Sequence, residues 1–394
     1  MQDKRSLRKI FHDLDKPLLF VSMALFIFGL LNIVTASSRA AVVNYDVSIY
    51  YYFYRQLLFI TIGLIMSLII IKIDTKSYKI IIPVLFVVVI VLNLVALTGE
   101  ELSGSKNWID LGFIKLQPSE FSKPIIIVLM SIMFEKYYRK LRTLDSKRYN
   151  AIGIILFLSM IIPALIFLQK DFGTLLITLF IVGMMLLASP ILKIDKLKSF
   201  LLLIAVIALA GLIIYNVQGY ILNDQRISRF KSYLDPCGNY ENGGYQVCNS
   251  YIAINNGGLF GLGIGKSKQK YSYIPEPHTD SAFAIIAEEY GIYRCVFIFI
   301  GYIIVLWRIL VISSKSNTLR GRYMCLGIAS YIFVHIFVNL GGMLGLIPLT
   351  GVPLPFLSYG GSFVMSLIAA LAIVQRVCVE SKNQKEKIKI KQTA

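Results

Sequence analysis

The stretch PEPHTDSAFAIIAEEYG, residues 275–291, sets an imidazole and, beyond Glu276, three carboxylates at and inside an apolar run. His278 and Asp280 stand at its mouth, and Glu288 and Glu289 lie two turns deeper. An ionisable group at membrane depth is expensive, and so is a functional hypothesis by default. A carboxylate there could serve as a general base toward a hydroxyl, with Asp280 the candidate. The rival is plain capping, in which Thr279 or Asp280 satisfies the free N–H groups of a following helix. Capping would lower the carboxyl pKa and weaken the base, so the pKa of Asp280 separates the two. On a helix Asp280 and Glu288 differ by roughly 80° and can line neighbouring parts of one cavity. Glu289 points elsewhere and needs a basic partner, expected on another helix.

Three further stretches carry polar groups beside apolar ones. In SGSKNWIDLGFIKLQPSEFSKP (103–124), Trp108 is either an interfacial aromatic or a stacking platform for a sugar or lipid, with Lys106 beside it. Pro118 suits the first turn of a helix, and Glu120 and Lys123 at i,i+3 can then pair on one face. In the long interval 217–281, GLGIGKS (261–267) lacks the first glycine of a phosphate loop, because Phe260 stands in its place. It is a flexible turn or a backbone shape that admits a lipid-linked substrate closely. Arg226, Arg229, Lys266, Lys268 and Lys270 surround it and could hold an anionic head group or pyrophosphate. Cys237 and Cys248 share this loop and could pair in an oxidising compartment, although spacing alone does not show that they meet. In NLGGMLGLIPLTGVPLPFLSYGGS (339–362), Pro348, Pro353 and Pro355 rule out a continuous helix. The segment is a tight connection or a shaped cavity wall that includes Ser358.

These stretches need a frame, and composition names it. The chain has 394 residues, 56% hydrophobic and only 16% charged, with a mean hydropathy of +0.69. That is a polytopic membrane protein. Ten runs are candidate spans: 17–36, 56–73, 79–98, 118–135, 151–169, 172–190, 197–216, 282–312, 321–344 and 358–379. The expected fold is all-α, with about ten transmembrane helices and a long extracellular loop between the seventh and eighth. Residues 1–16 and 380–394 are read as cytoplasmic tails flanking a transmembrane domain at 17–379. The net charge of +18 would suggest nucleic acid in a soluble protein, but here the basic residues flank the spans. They concentrate on the loops that share a side with the termini, which places both termini in the cytoplasm. The segments 99–117, 217–281 and 345–357 then face outward. The basic tail KNQKEKIKIKQTA is read as a solvated anchor facing membrane lipids.

In order and spacing, NWIDLGFIKLQPSEFSK, GGYQVCNSYIAINNGGLFGLGIGKSKQK, YIPEPHTDSAFAIIAEE and PLTGVPLPFLSYGGS resemble the SEDS family, the group of FtsW, RodA and SpoVE. The likeness runs from DKPLLF at 15–20 to the last span, and YYYFYRQ (50–56) leans toward the FtsW and SpoVE branch. The resemblance implies a ten-span peptidoglycan glycosyltransferase. Such an enzyme polymerises lipid II into β-1,4 glycan on undecaprenyl pyrophosphate, beside a class B penicillin-binding protein that crosslinks the strands. It implies that Asp280 is catalytic. It also matches Trp108, Lys106, Glu120, Lys123 and His278 to family positions; with Arg226, Arg229, Glu288 and Ser358 from the residue reading, these are the substrate-side candidates. No nucleic acid and no organic cofactor are expected; a divalent cation, Mg2+ or Mn2+, could assist. The chain departs from the family at QKDFG (169–173), where Lys170 replaces a usual proline, and at Ser281 and Ala282, where bulkier residues are common.

Lipid II carries an α-linked pyrophosphate and the polymer is β-linked, so the reaction implied is a single inverting displacement. Asp280 would take the proton of the acceptor hydroxyl, while cationic groups stabilise the departing pyrophosphate. The same architecture would also suit a flippase or transporter of that lipid. Strand synthesis by detergent-solubilised protein, where there is no sidedness, separates the two.

Overall fold

The structure, a computed structural model, describes residues 7–44, 46–102, 104–112, 114–201, 204, 235–238, 244–271, 274 and 277–393. In lipid every backbone polar group must be satisfied within its own segment, so long apolar runs become helices. In chain order these are α1 (Leu7–Asp13), α2 (Lys16–Arg39), α3 (Tyr51–Lys72), α4 (Tyr78–Ala96), α5 (Pro118–Lys136) and α6 (Tyr138–Arg142). They continue as α7 (Lys147–Leu168), α8 (Phe172–Ala188), α9 (Tyr245–Gly257), α10 (Ala282–Lys315), α11 (Leu319–Met343) and α12 (Gly361–Thr393). A short antiparallel hairpin, β1 (Ile109–Asp110) with β2 (Lys115–Leu116), precedes α5.

Among the described residues, seven helices are long and apolar enough to cross a membrane: α2, α3, α4, α7, α10, α11 and the Gly361–Gln384 part of α12. Helix α8 is apolar but shorter. Helix α5 stands where the fourth span was expected and carries Glu120 and Lys123. The expected span 197–216 lies almost wholly outside the described residues, as do Arg226 and Arg229. Several boundaries move. Helix α3 starts at Tyr51 rather than 56, because the aromatic run is itself helical. Helix α12 starts at Gly361 rather than 358, because Ser358 still closes a turn onto Leu354. Both presumed tails contain helix, α1 at one end and the continuation of α12 at the other.

The glycine-rich loop and α10 explain each other. The unusual length of α10 hides a break: Gly291 has φ 77° and ψ 162° in mid-helix. Leu262 and Gly263 donate their N–H groups to the carbonyls of Glu288 and Glu289 at 2.9 and 3.0 Å. Ile292 and Tyr293 donate back to the carbonyls of Gly258 and Leu259 at 3.0 and 3.1 Å. The loop therefore supplies the partners that the broken helix lacks. A Cβ on Gly261 or Gly291 would collide with backbone of the other strand, and both residues have a positive φ that side chains disfavour. GLGIGKS is thus a fixed backbone plug in the break of α10 and not a flexible turn.

The opposite end of the bundle is ionic. Asp15, just before α2, pairs with Arg308 near the far end of α10 and exchanges hydrogen bonds with Gln375 of α12. Arg320 bonds Glu135 at 2.8 Å and Thr75 at 2.9 Å. Arg376 pairs with Asp74 and Glu380. Lys9 of α1 meets Glu386 of α12 at 3.5 Å, so the two ends of the chain gather here.

Gly261→Ala and Gly291→Ala should each destabilise the protein by more than about 2 kcal/mol, through left-handed strain and backbone collision. Thermal unfolding of the solubilised protein reads this. An Ala variant at either position with an unchanged midpoint would contradict the interlock.

Candidate functional site

Asp280 sits at the start of α10, roughly 40 Å of helix away from Arg308 and the chain ends, more than the hydrocarbon thickness of a bilayer. Its side chain does not cap α10: Ser281 holds the cap position, with no side-chain cap bond. The carboxylate instead accepts the Gln246 amide on Oδ2 at 3.0 Å and the Thr279 hydroxyl on Oδ1 at 3.2 Å. Its main-chain carbonyl accepts from Asn339 at 2.7 Å, and the same amide reaches the Val352 carbonyl at 2.7 Å. One side of the carboxylate looks toward Gly351. Part of Asp280 remains exposed, yet the surrounding protein pushes its carboxyl above the ordinary range, against the pull of the Gln246 and Thr279 bonds. The direction is that of a base, opposite to what capping required.

His278 is buried, its ring 4.2 Å from that of Tyr52 and 5.5 Å from that of Tyr359. Tyr359 donates its N–H to the His278 carbonyl at 2.8 Å. Burial lowers the imidazole to about 4, so it is neutral at physiological pH and packs against Tyr52 and Tyr359. YYYFYRQ thus has a structural task. Tyr52 packs on His278, and Gln56 bonds the Ser358 carbonyl and the Gly360 N–H.

The two deeper glutamates belong to the plug rather than to a cavity. Glu288 is fully buried and accepts from the Ser267 hydroxyl, the Lys268 and Gln269 N–H groups at 3.2 Å and Asn256 at 3.3 Å. Its expected place on the substrate side is corrected, because its carboxylate is spent on folding the loop. Glu289 does take a basic partner, but from the loop and not from another helix: Lys270, at 3.2 Å. Lys270, being buried, leaves the set of residues offered to an anionic head group. Ser358 is also corrected. It is buried, and its hydroxyl accepts the Leu354 N–H at 2.9 Å, closing the proline-rich turn.

Glu120 and Lys123 pair at 2.7 Å, both buried, and Lys123 also lies 3.1 Å from His335 Nε2. Glu120 and Lys123 thus pair on one face as their spacing allowed, and form a polar node joining α5 and α11. Lys106 is exposed and its N–H bonds the Gln169 carbonyl at 3.0 Å, while Trp108 is half-buried on the same loop. Asp171 organises this region. It caps α8 through the Thr174 N–H and accepts from Asn107 at 2.6 Å and Gln117 at 3.1 Å. Its neighbour Lys170 has φ 62°, a value proline cannot reach, so the bend persists by another backbone route. Gly173 approaches the Thr350 carbonyl, which connects this turn to the wall carrying Gly351. Cys237 and Cys248 form a disulfide. Sequence reading missed Gln246, Asn339, Asp171 as a hub, and His335. Each is a polar residue in or beside an apolar run, a signal that was present but unpartnered.

The sequence matches the profile of the FtsW, RodA and SpoVE family, described as cell cycle proteins, over residues 16–383. The chain belongs to this family. Among its relatives, the probable peptidoglycan glycosyltransferase FtsW of Bacillus subtilis is 34% identical over 97% of this chain and 95% of its own. Stage V sporulation protein E of the same organism is 32% identical over 92% and 96%. The fold is that of the Thermus thermophilus rod shape determining protein RodA, with a TM-score of 0.65 at 22% identity, over 93% of this chain and 96% of that one. A chain of a peptidoglycan synthase complex that coordinates polymerization and crosslinking gives a TM-score of 0.71 at 24% identity, over 93% and 98%. Family membership and the apolar helices make this a multi-pass membrane protein.

Two outcomes follow. Glu120→Gln and Lys123→Met should each cost roughly 3 kcal/mol by stranding a buried charge, and the double variant should cost clearly less than their sum. A cycle with no coupling energy would contradict the pair. Asp280→Asn should unfold no earlier than the parent at neutral pH. With its pKa raised by folding, ionised Asp280 destabilises the folded state there, and that cost fades as pH falls through the folded pKa.

Proposed function

We propose that this chain is a peptidoglycan glycosyltransferase that joins lipid II units into β-1,4 glycan at the outer face of the cytoplasmic membrane. The observation that carries it is Asp280: a half-buried aspartate at the end of the bundle remote from the termini, held by neutral donors and raised in pKa. The names of the FtsW relatives support the activity. The density of Lys and Arg supports cytoplasmic termini, which turns Asp280 outward toward lipid-linked sugars.

In this reading the acceptor 4-hydroxyl of GlcNAc gives its proton to Asp280 as its oxygen attacks C1 of the donor MurNAc. The C1–O bond to the pyrophosphate breaks on the opposite face, which converts the α linkage to β. Undecaprenyl pyrophosphate leaves with the bonding pair. Both sugars are tethered in the plane of one membrane, so orientation supplies a large part of the rate. Among the described cations named for the anionic group, Lys106, Lys266 and Lys268 are exposed, while Lys123 is committed to Glu120 and Lys270 to Glu289. Arg226 and Arg229 keep that role as a proposal. A divalent cation, Mg2+ or Mn2+, could neutralise the same charge. The described residues hold no group of three or more His, Cys, Asp or Glu that would bind one, so no step is routed through it. The complex that contains the structural neighbour supports a class B penicillin-binding protein as partner.

The test is polymerisation of labelled lipid II by the solubilised protein with its partner. Asp280→Asn should reduce the rate by at least about 100-fold while the protein stays folded. A folded Asp280→Asn variant that still polymerises would sink the assignment. The acid limb of kcat/KM should lie above the ordinary aspartate pKa of about 4, with activity lost as pH falls through it. It should persist in His278→Gln, because the imidazole is already neutral there.

A further inference from the structure

We propose that Gln246, braced by the Cys237–Cys248 disulfide, is a positioning residue that aims the Asp280 carboxylate and holds it in its ionised form. The inference rests on the reading of Asp280 as the base. Gln246 lies in the first turn of α9 and spends both amide hydrogens on this junction, one on Asp280 Oδ2 at 3.0 Å and one on Ser281 Oγ at 2.9 Å. The Ser281 hydroxyl is what receives the second hydrogen. With both bonds made, the amide cannot rotate without losing one. It fixes which oxygen of Asp280 is occupied and leaves the Thr279-bonded oxygen on the other side.

The turn carrying Gln246 is itself fastened. Cys248 donates its N–H to the Gly244 carbonyl at 2.9 Å, and Ser250 donates its hydroxyl to the Gln246 carbonyl at 2.8 Å. The disulfide ties Cys248, buried in α9, to Cys237, exposed on the segment before it. The brace thus acts two residues from the amide it steadies. Among the described residues, the groups placed against Asp280 are uncharged at neutral pH: Asn339 from α11, Gly351 from the proline-rich loop, and His278 and Thr279 from its own segment. Helix α9, YQVCNSYIAINNG, contributes no ionised side chain. With no cation among these groups, neutral donors carry the stabilisation of the ionised form, and a hydrogen bond to the charged form lowers a carboxyl pKa.

The test titrates Asp280 directly by infrared spectroscopy of the full chain in nanodiscs, with its carboxyl band assigned by its absence in Asp280→Asn. No substrate is present, so the result stands apart from the polymerisation assay that judges the function. Gln246→Leu should move the midpoint up by about one pH unit, and Gln246→Glu should move it further. Reducing the disulfide of the intact wild-type chain with a soluble phosphine should move it the same way, and reoxidation should restore it. Because reduction starts from folded protein, it covers the case in which Gln246→Leu does not fold. An unmoved midpoint in folded Gln246→Leu, or after complete reduction, would overturn the proposal even if the wild type makes polymer.

Discussion

The break at Gly291 is the constraint on which the rest depends. A helix that stops hydrogen-bonding itself at membrane depth is tolerated only where other protein satisfies it. Here a single loop does so with four backbone bonds, and three glycines, Gly257, Gly261 and Gly291, clear the space for it. Once that loop is seated, Glu288 can gather residues 267–269 and Glu289 can bury Lys270. Helix α9 then lies along the first part of α10, which puts Gln246 within reach of Asp280. The acids that looked out of place in an apolar run are the anchors of this arrangement, and only the one at its mouth is left for chemistry.

How much of this was legible follows from the range of each interaction. Hydropathy is local, so the apolar runs announced their helices and missed mainly at the ends. Tyr51 extends a helix that polar character seemed to exclude, and Ser358 delays one that composition seemed to begin. The Glu120–Lys123 pair was also local, three residues apart, and it was read correctly as a pair. Its third member, His335, is 212 residues away from Lys123 and left no trace in spacing. The same limit explains Glu289: a basic partner could be demanded, but its element could not be named. Glu288 was misplaced because helical angle fixes the direction of a side chain but not what stands there.

The two ends of the bundle differ in kind. The end near the termini is locked by charged pairs that join α2, α3, α5, α10, α11 and α12. Around Asp280 itself the hold comes from amides, hydroxyls, aromatic rings and close glycine contacts, with the Glu289–Lys270 pair set deeper in the loop. Neutral contacts suit a place where one carboxylate must keep a raised pKa, since a nearby cation would lower it.

Asn339 grips Asp280 by its main-chain carbonyl and not by its carboxylate. That hold on the main chain does not depend on what stands on the side chain. In genetic terms, a lesion confined to the carboxyl would yield a full-length, well-assembled chain that occupies the places of the intact one. Loss of the acid would be dominant, where loss of the interlock would be recessive.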